Sequence, residues 1–266
     1  MDTQAPIEIE SRGAIEIVSL NRPAALNAIT PGMTKALADY FAGLHERTDV
    51  RVVLLRGHGK GFCAGLDLKE GASFSEDSAV IRGYKTQTAI ANIYRQMRSC
   101  PQPIIALGHG AACGGGLSLM LASDVRYGAP SLKMNAAYIR IGLTGCDMGS
   151  SYFLPRLVGA SLASEMILTG RFIHAERALR TGLISEIVDE DKLLDAGLAL
   201  AEEMLLTSPW GLRLSKQALN INIDAQSLDA AMALEDRHQV MLAQTSDMRE
   251  ALAAFLEKRP PQYQDR

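Results

Sequence analysis

Cysteine is scarce in this chain and badly placed for pairing. Cys63, Cys100, Cys113 and Cys146 include no C-x-x-C spacing, so neither a disulfide framework nor a thiolate zinc site is expected. The thiols read as reduced, in a cytoplasmic protein. Excess charge of one sign is also missing. With 27 basic and 30 acidic residues the net charge is −3, which gives no global attraction to nucleic acid or to an anionic membrane. The opening residues, Met1 to Pro6, are polar and lack an apolar stretch, so no secretory leader is expected. Histidines are few: His45, His58, His174 and His238 show no ligand spacing, and His109 reads as structural. No metal site is expected.

The longest uncharged apolar stretch, 104–123, contains five glycines and a histidine and has no basic flank. That argues against a membrane span. Its glycines are also wrong for nucleotides. Gly108, Gly110 and Gly114 are spaced G-x-G-x-x-x-G rather than G-x-G-x-x-G, and no Walker lysine follows.

What is present is a soluble globular composition, 47% hydrophobic and 21% charged over 266 residues. It suits one large domain or a domain with an appendage. Residues 7–10 and 14–20 alternate apolar and polar around Arg12-Gly13, predicting a hairpin. A helix is predicted from Pro31 to about 45, capped by Thr30, and a buried strand over 51–56. A long helix over 78–99 follows, stopped by Pro101. Strand 104–107 leads into a helix over 115–122, then short strands near 125–127 and 132–135. Helix 150–158 and further short helices precede a strand at 185–188, and beyond 191 the pattern is helical. The fold class is α/β, with a core over 1–195 and a helical appendage over 196–266.

The glycine cluster is the chemically suggestive point. Consecutive glycines allow positive φ and close approach. Where such a turn opens a helix, free N–H groups point outward with the positive end of the helix dipole behind them. That arrangement suits a negative oxygen, either a phosphate or an oxyanion. A purely structural turn under a buried helix is the rival reading.

Phe62-Cys63-Ala64-Gly65-Leu66-Asp67-Leu68-Lys69, followed by the 108–124 segment, resembles the enoyl-CoA hydratase/isomerase (crotonase) superfamily. Leu20-Asn21-Arg22-Pro23, Leu26-Asn27-Ala28, Leu154-Pro155-Arg156-Leu157-Val158-Gly159, Thr169-Gly170-Arg171, Gly182-Leu183-Ile184 and Phe255-Leu256-Glu257-Lys258-Arg259-Pro260 continue the match in order along nearly the whole chain. The resemblance implies a spiral of ββα turns around two nearly perpendicular sheets, with a C-terminal helical trimerisation region. The partners it implies are an acyl-CoA thioester and further copies of the chain, as a trimer or a dimer of trimers. No cofactor is implied, since CoA is part of the substrate. The family's two oxyanion-hole amides map onto Leu66 and Gly115. Each such donor is worth about 3 kcal/mol to an enolate.

The residues that move protons depart from the hydratase pattern. The two family glutamates fall on Ser118 and Tyr138, and neither side chain is a strong base at neutral pH. Asp147, eight residues before Pro155, sits where several family isomerases carry Asp or Glu, and where a dehalogenase relative carries a nucleophilic Asp. One carboxylate suffices to take a proton from C2 and return it at C4. Asp147 reads equally as an N-cap for the following helix. Glu165 and Glu70 are weaker candidates. Ser118 can orient a water or a polar acyl group, and Tyr138 can hydrogen-bond one; core packing and a structural hydrogen bond are the alternatives. A Cys146 nucleophile has no supporting histidine motif. CoA contacts are implied for Arg22, Ala25, Ala64 and Lys69, and for Phe255 and Lys258 reaching a neighbouring subunit. A frequent lysine after Arg-Pro is Ala24 here. The expected function is thus an acyl-CoA isomerase using Asp147. A hydratase or lyase using Asp147, Ser118 and water is one alternative, and a non-catalytic acyl-CoA binder another.

Overall fold

The computed structural model describes residues 5–69 and 78–266. Strands β1 (Ile7–Arg12) and β2 (Ile15–Leu20) form an antiparallel hairpin. Helix α1 (Pro31–Gly43) begins where Thr30 Oγ1 accepts the Met33 N–H, with Pro31 supplying a helical φ at no hydrogen-bond cost. Next come β3 (Val52–Gly57) and α2 (Ala79–Ser99), the latter capped by Ser78. Then follow β4 (Ile104–Gly108), β5 (Ala111–Cys113), α3 (Gly115–Ala122), β6 (Val125–Gly128) and β7 (Lys133–Asn135). Helix α4 (Ser150–Thr169) is broken at Gly159, whose φ of 76° is not helical. The predicted end at residue 158 is therefore real, but a second helical arm continues to 169. Strand β8 (Ile173–His174), α5 (Ala175–Arg180) and β9 (Glu186–Ile187) close the mixed region. Four helices complete the chain: α6 (Leu193–Leu205), α7 (Pro209–Asn222), α8 (Leu228–Leu242) and α9 (Ser246–Glu257).

Two sheets result. The larger has the order β1-β2-β3-β4-β6-β9, parallel except for the first hairpin, and the smaller has the order β5-β7-β8. Helices cover the larger sheet on both faces, as a parallel sheet requires. Val18, Leu20, Val53, Leu55, Ile104 and Ala106 pack in the main core with Met33, Leu37 and Phe41 of α1 and with Ile93 and Met97 of α2. The alternate residues Ile15, Ile17, Val52, Leu54, Ile105 and Leu107 form a second cluster with Leu193 and Ala201 of α6. Residue 197 is a glycine because a Cβ there would stand 2.8 Å from the Leu107 methyls.

Two sequence expectations change. Strand β2 is buried along its whole length instead of alternating with solvent. Its Glu16 is accommodated by Tyr40 Oη at 2.7 Å and Arg47 Nη2 at 2.9 Å. Strand β5 was hidden inside the glycine-rich turn, since three residues between glycines carry no periodic signal. It nevertheless founds the second sheet and sets the position of the site.

Candidate active site

The segment after β3 runs alongside β5. Cys63 N–H donates to Ala111 O at 2.9 Å, Cys113 N–H donates to Cys63 O at 2.9 Å, and Phe62 N–H donates to His109 O at 2.8 Å. This parallel pairing carries the chain into a second short bridge, Ile29 with Leu66, in which Gly65 O accepts from Ile29 N–H and Asp67 N–H donates to Ile29 O. Leu66 N–H lies between those two bonds and makes none itself among the described residues.

The turn into α3 is pressed against that segment. Gly114, at φ 50° and ψ −116°, adopts a conformation open only to glycine and donates its N–H to Asn135 O. A Cβ on Gly116 would fall 2.2 Å from Cys63 O, and one on Gly65 would fall 2.9 Å from Cys113 O and 3.6 Å from Gly115 N. The glycines thus let two amide-bearing turns touch. Gly115 opens α3, whose eight residues are all buried. The Leu66 and Gly115 amides predicted from sequence stand at adjoining turns, the second at a helix N-terminus where the dipole favours negative charge.

Asp147 is held through one oxygen. Its Oδ1 accepts from the Met148 N–H at 2.7 Å and from Gln87 Nε2 on α2, and Oδ2 has no hydrogen-bond partner among the described residues. The capping alternative is not what forms. Gly149 is the N-cap of α4 and no side chain caps it; instead Ser150 Oγ accepts the Asp147 N–H at 3.0 Å. Met148, held at a positive φ of 47°, places its sulfur 3.2 Å from the Tyr94 hydroxyl, which also lies 3.0 Å from Gly115 O. Tyr94 and Gln87, both on α2, carried no sequence signal.

Ser118 and Tyr138, at the positions where the resemblance puts glutamates, are buried against each other with their hydroxyls 2.8 Å apart. Burial pushes the phenols of Tyr138 and Tyr94 well above the ordinary tyrosine range. The Ser118 bond opposes the shift at Tyr138, and the nearby Asp147 charge adds to it in both. The Ser118 hydroxyl is thus engaged by Tyr138 in the interior. Glu165 is also removed as a base: Arg177 and Arg171 grip its carboxylate and lower it to about 2. Glu70 lies outside the described residues. Cys146 is exposed, and burial pushes the Cys63 thiol up to about 12.

The loops expected to hold CoA are braced by one another. Asn27, at φ 56° and fully buried, donates from Nδ2 to His58 O, Gly61 O and Phe62 O, and its Oδ1 accepts the Arg22 N–H. Arg22 Nη1 pairs with Asp67 at 3.0 Å and with Ala28 O at 2.7 Å. The Lys69 N–H and then Arg22 hold the Asp67 carboxyl below its ordinary range. Ala25 and Ala64 are half-buried on these loops, and the Lys69 side chain is exposed. Leu66, Ile29, Ala89 and Ile90 line a cavity of about 560 Å³ between α1 and α2. A larger groove of about 1060 Å³ starts at Tyr94 and Met148 and runs past Phe153 and Leu157 to α7. Phe255 and Lys258 stand exposed at the end of α9. Among the described residues no His, Cys, Asp and Glu side chains cluster as metal ligands, and no helix is long and apolar enough to cross a membrane.

The enoyl-CoA hydratase/isomerase family model matches residues 10–266. The chain belongs to the enoyl-CoA hydratase/isomerase family. Within it, the chain is 38% identical over 253 residues to a Mycobacterium leprae protein named probable enoyl-CoA hydratase, covering 94% of this chain and 86% of that one. It is 33% identical to the 1,2-epoxyphenylacetyl-CoA isomerase of Escherichia coli, covering 92% and 93%. The crystal structure of an enoyl-CoA hydratase from Bacillus anthracis superimposes with a TM-score of 0.92 at 31% identity, covering 98% and 100%. The chain is accordingly an enzyme of this family, with the crotonase-like α/β fold of two sheets surrounded by helices.

Proposed function

We propose that this enzyme shifts a double bond in an acyl-CoA thioester, with Asp147 as the single acid–base group. The observation that carries the reading is the state of Asp147, fixed through Oδ1 by Gln87 and the Met148 amide, with Oδ2 left open among the described residues. The Leu66 and Gly115 amides hold the thioester oxygen. Oδ2 takes a proton from C2, the charge spreads into a dienolate stabilised by the two N–H groups and the α3 dipole, and the proton returns at C4. The loops carrying Arg22, Ala25, Ala64 and Lys69 hold CoA. No cofactor is called for, because the chemistry is proton transfer.

Hydration is the second reading, favoured by the names of several relatives, the Mycobacterium leprae protein among them. It needs a positioned water as well as a base, and Ser118, which would orient that water, is engaged by Tyr138. The test is the absorbance of the 2-enoyl thioester formed from a 3-enoyl-CoA. Asp147→Asn lowers kcat at least about a hundredfold, the usual effect of deleting an acid–base group. An unchanged rate eliminates Asp147 as the base.

The helical region over 196–266 serves assembly in this reading. Leu228, Val240 and Met241 of α8 and Leu252, Phe255 and Leu256 of α9 are exposed, which supports burial between subunits of a homotrimer or a dimer of trimers. Light scattering that returned the mass of a monomer would remove this part.

A further inference from the structure

The donor turn has a weakness that its own residues do not cure. Gly114, Gly115 and Gly116 have no side chains to lock them, yet an amide stabilises a developing oxyanion only if its direction is set beforehand. The Ser118 N–H holds the Gly114 carbonyl, and with it the peptide carrying the Gly115 N–H, but that bond is internal to α3, so the helix start has still to be seated from outside.

We propose that Tyr94 is a positioning residue of this site: its hydroxyl donates to the Gly115 carbonyl, in the peptide that follows the donor N–H, and thereby ties the first residue of α3 to α2. The bond is 3.0 Å long and buried, and it spans from α2 to the first residue of α3. The phenol is also confined laterally. A Cβ on Gly115 would stand 3.1 Å from Tyr94 Oη, 3.1 Å from Ile29 Cδ1 and 3.5 Å from Met148 Sδ, so these three side chains enclose the turn on the side that lacks its own. Tyr94 Oη lies 3.2 Å from the Met148 sulfur, and Met148 directly follows Asp147. One side chain therefore spans the gap between the amide that receives charge and the loop that carries the carboxylate. Burial keeps the phenol protonated, and so a donor, throughout the working pH range. Tyr94 touches neither substrate nor reacting atoms; it acts by seating Gly115 against α2.

This inference rests on the oxyanion-turn reading given above, and the experiment separates the two. Bound 2,4-hexadienoyl-CoA reports carbonyl polarisation by a red shift of its absorbance, with no turnover required. The wild-type enzyme is expected to show the shift. Tyr94→Phe, which keeps the ring and the packing, loses most of it, lowers kcat about tenfold and leaves KM within threefold. Site-specific 3-fluorotyrosine at position 94 restores the donor and with it the shift. The absence of a red shift in wild type would sink the oxyanion-turn reading itself. A full shift in Tyr94→Phe with kcat within twofold of wild type would overturn the role of Tyr94 alone. A melting temperature measured for each variant shows that the comparison is between folded proteins.

Discussion

The hydroxyls of Ser118 and Tyr138 lie 2.8 Å apart in the interior, each the other's partner. Two positions that the resemblance assigns to glutamates are here closed into a neutral pair, and in the proposed reaction the acid–base work falls to Asp147. Ser118→Ala tests this. It leaves the Tyr138 hydroxyl without a partner and destabilises the fold by about 1–3 kcal/mol, read from urea denaturation. Isomerisation of a 3-enoyl-CoA stays within threefold of wild type. A loss beyond about tenfold would return Ser118 to the reaction and revive the hydratase reading.

The contact between the two amide turns depends on a missing side chain. Gly116→Ala places a methyl 2.2 Å from Cys63 O, a backbone atom that cannot swing away. The turns must separate, and the expected cost is about 1–3 kcal/mol of stability together with loss of the red shift of bound 2,4-hexadienoyl-CoA. A variant that matched wild type in both would show that the close approach is not required.

Acid sensitivity has an assignable contributor. Glu165 joins the second arm of α4 to Arg177 on α5 and to Arg171, and its folded pKa is lowered to about 2. A carboxylate depressed in this way adds stability above its unfolded value of about 4.3, and loses it as pH falls through that value toward 2. Glu165→Gln lacks this term. The melting temperatures of wild type and variant differ most above about pH 5 and converge toward pH 2. A gap that stayed constant with pH would discard the assignment.

Much of the site was legible because it is built from backbone. Gly65, Gly114, Gly115 and Gly116 announce turns that need positive φ or close approach, and the helix after them announces a dipole, so a donor turn was legible from residue type and spacing, while Leu66 and the choice of Gly115 came from the family resemblance. Strand β5 was not, since Ala111–Cys113 is set by pairing to Cys63 some fifty residues earlier. Tyr94 and Gln87 were invisible for a related reason. On α2 they are one aromatic and one amide among many, and only the packing of α2 against α3 and the 142–149 loop brings them to Gly115 and Asp147. Asp147 shows the limit most clearly. Its position in sequence suited a base and a cap equally, and only Ser150 and Gly149, seen in the fold, relieve it of capping.

Asn27 ties one carboxamide to the carbonyls of residues 58, 61 and 62 and to the amide of Arg22. The walls it joins therefore open together or not at all. Solvent reaching the peptide groups of one must already have reached those of the other, so in a deuterium-labelling experiment the two loops share a single rate and a single response to bound thioester.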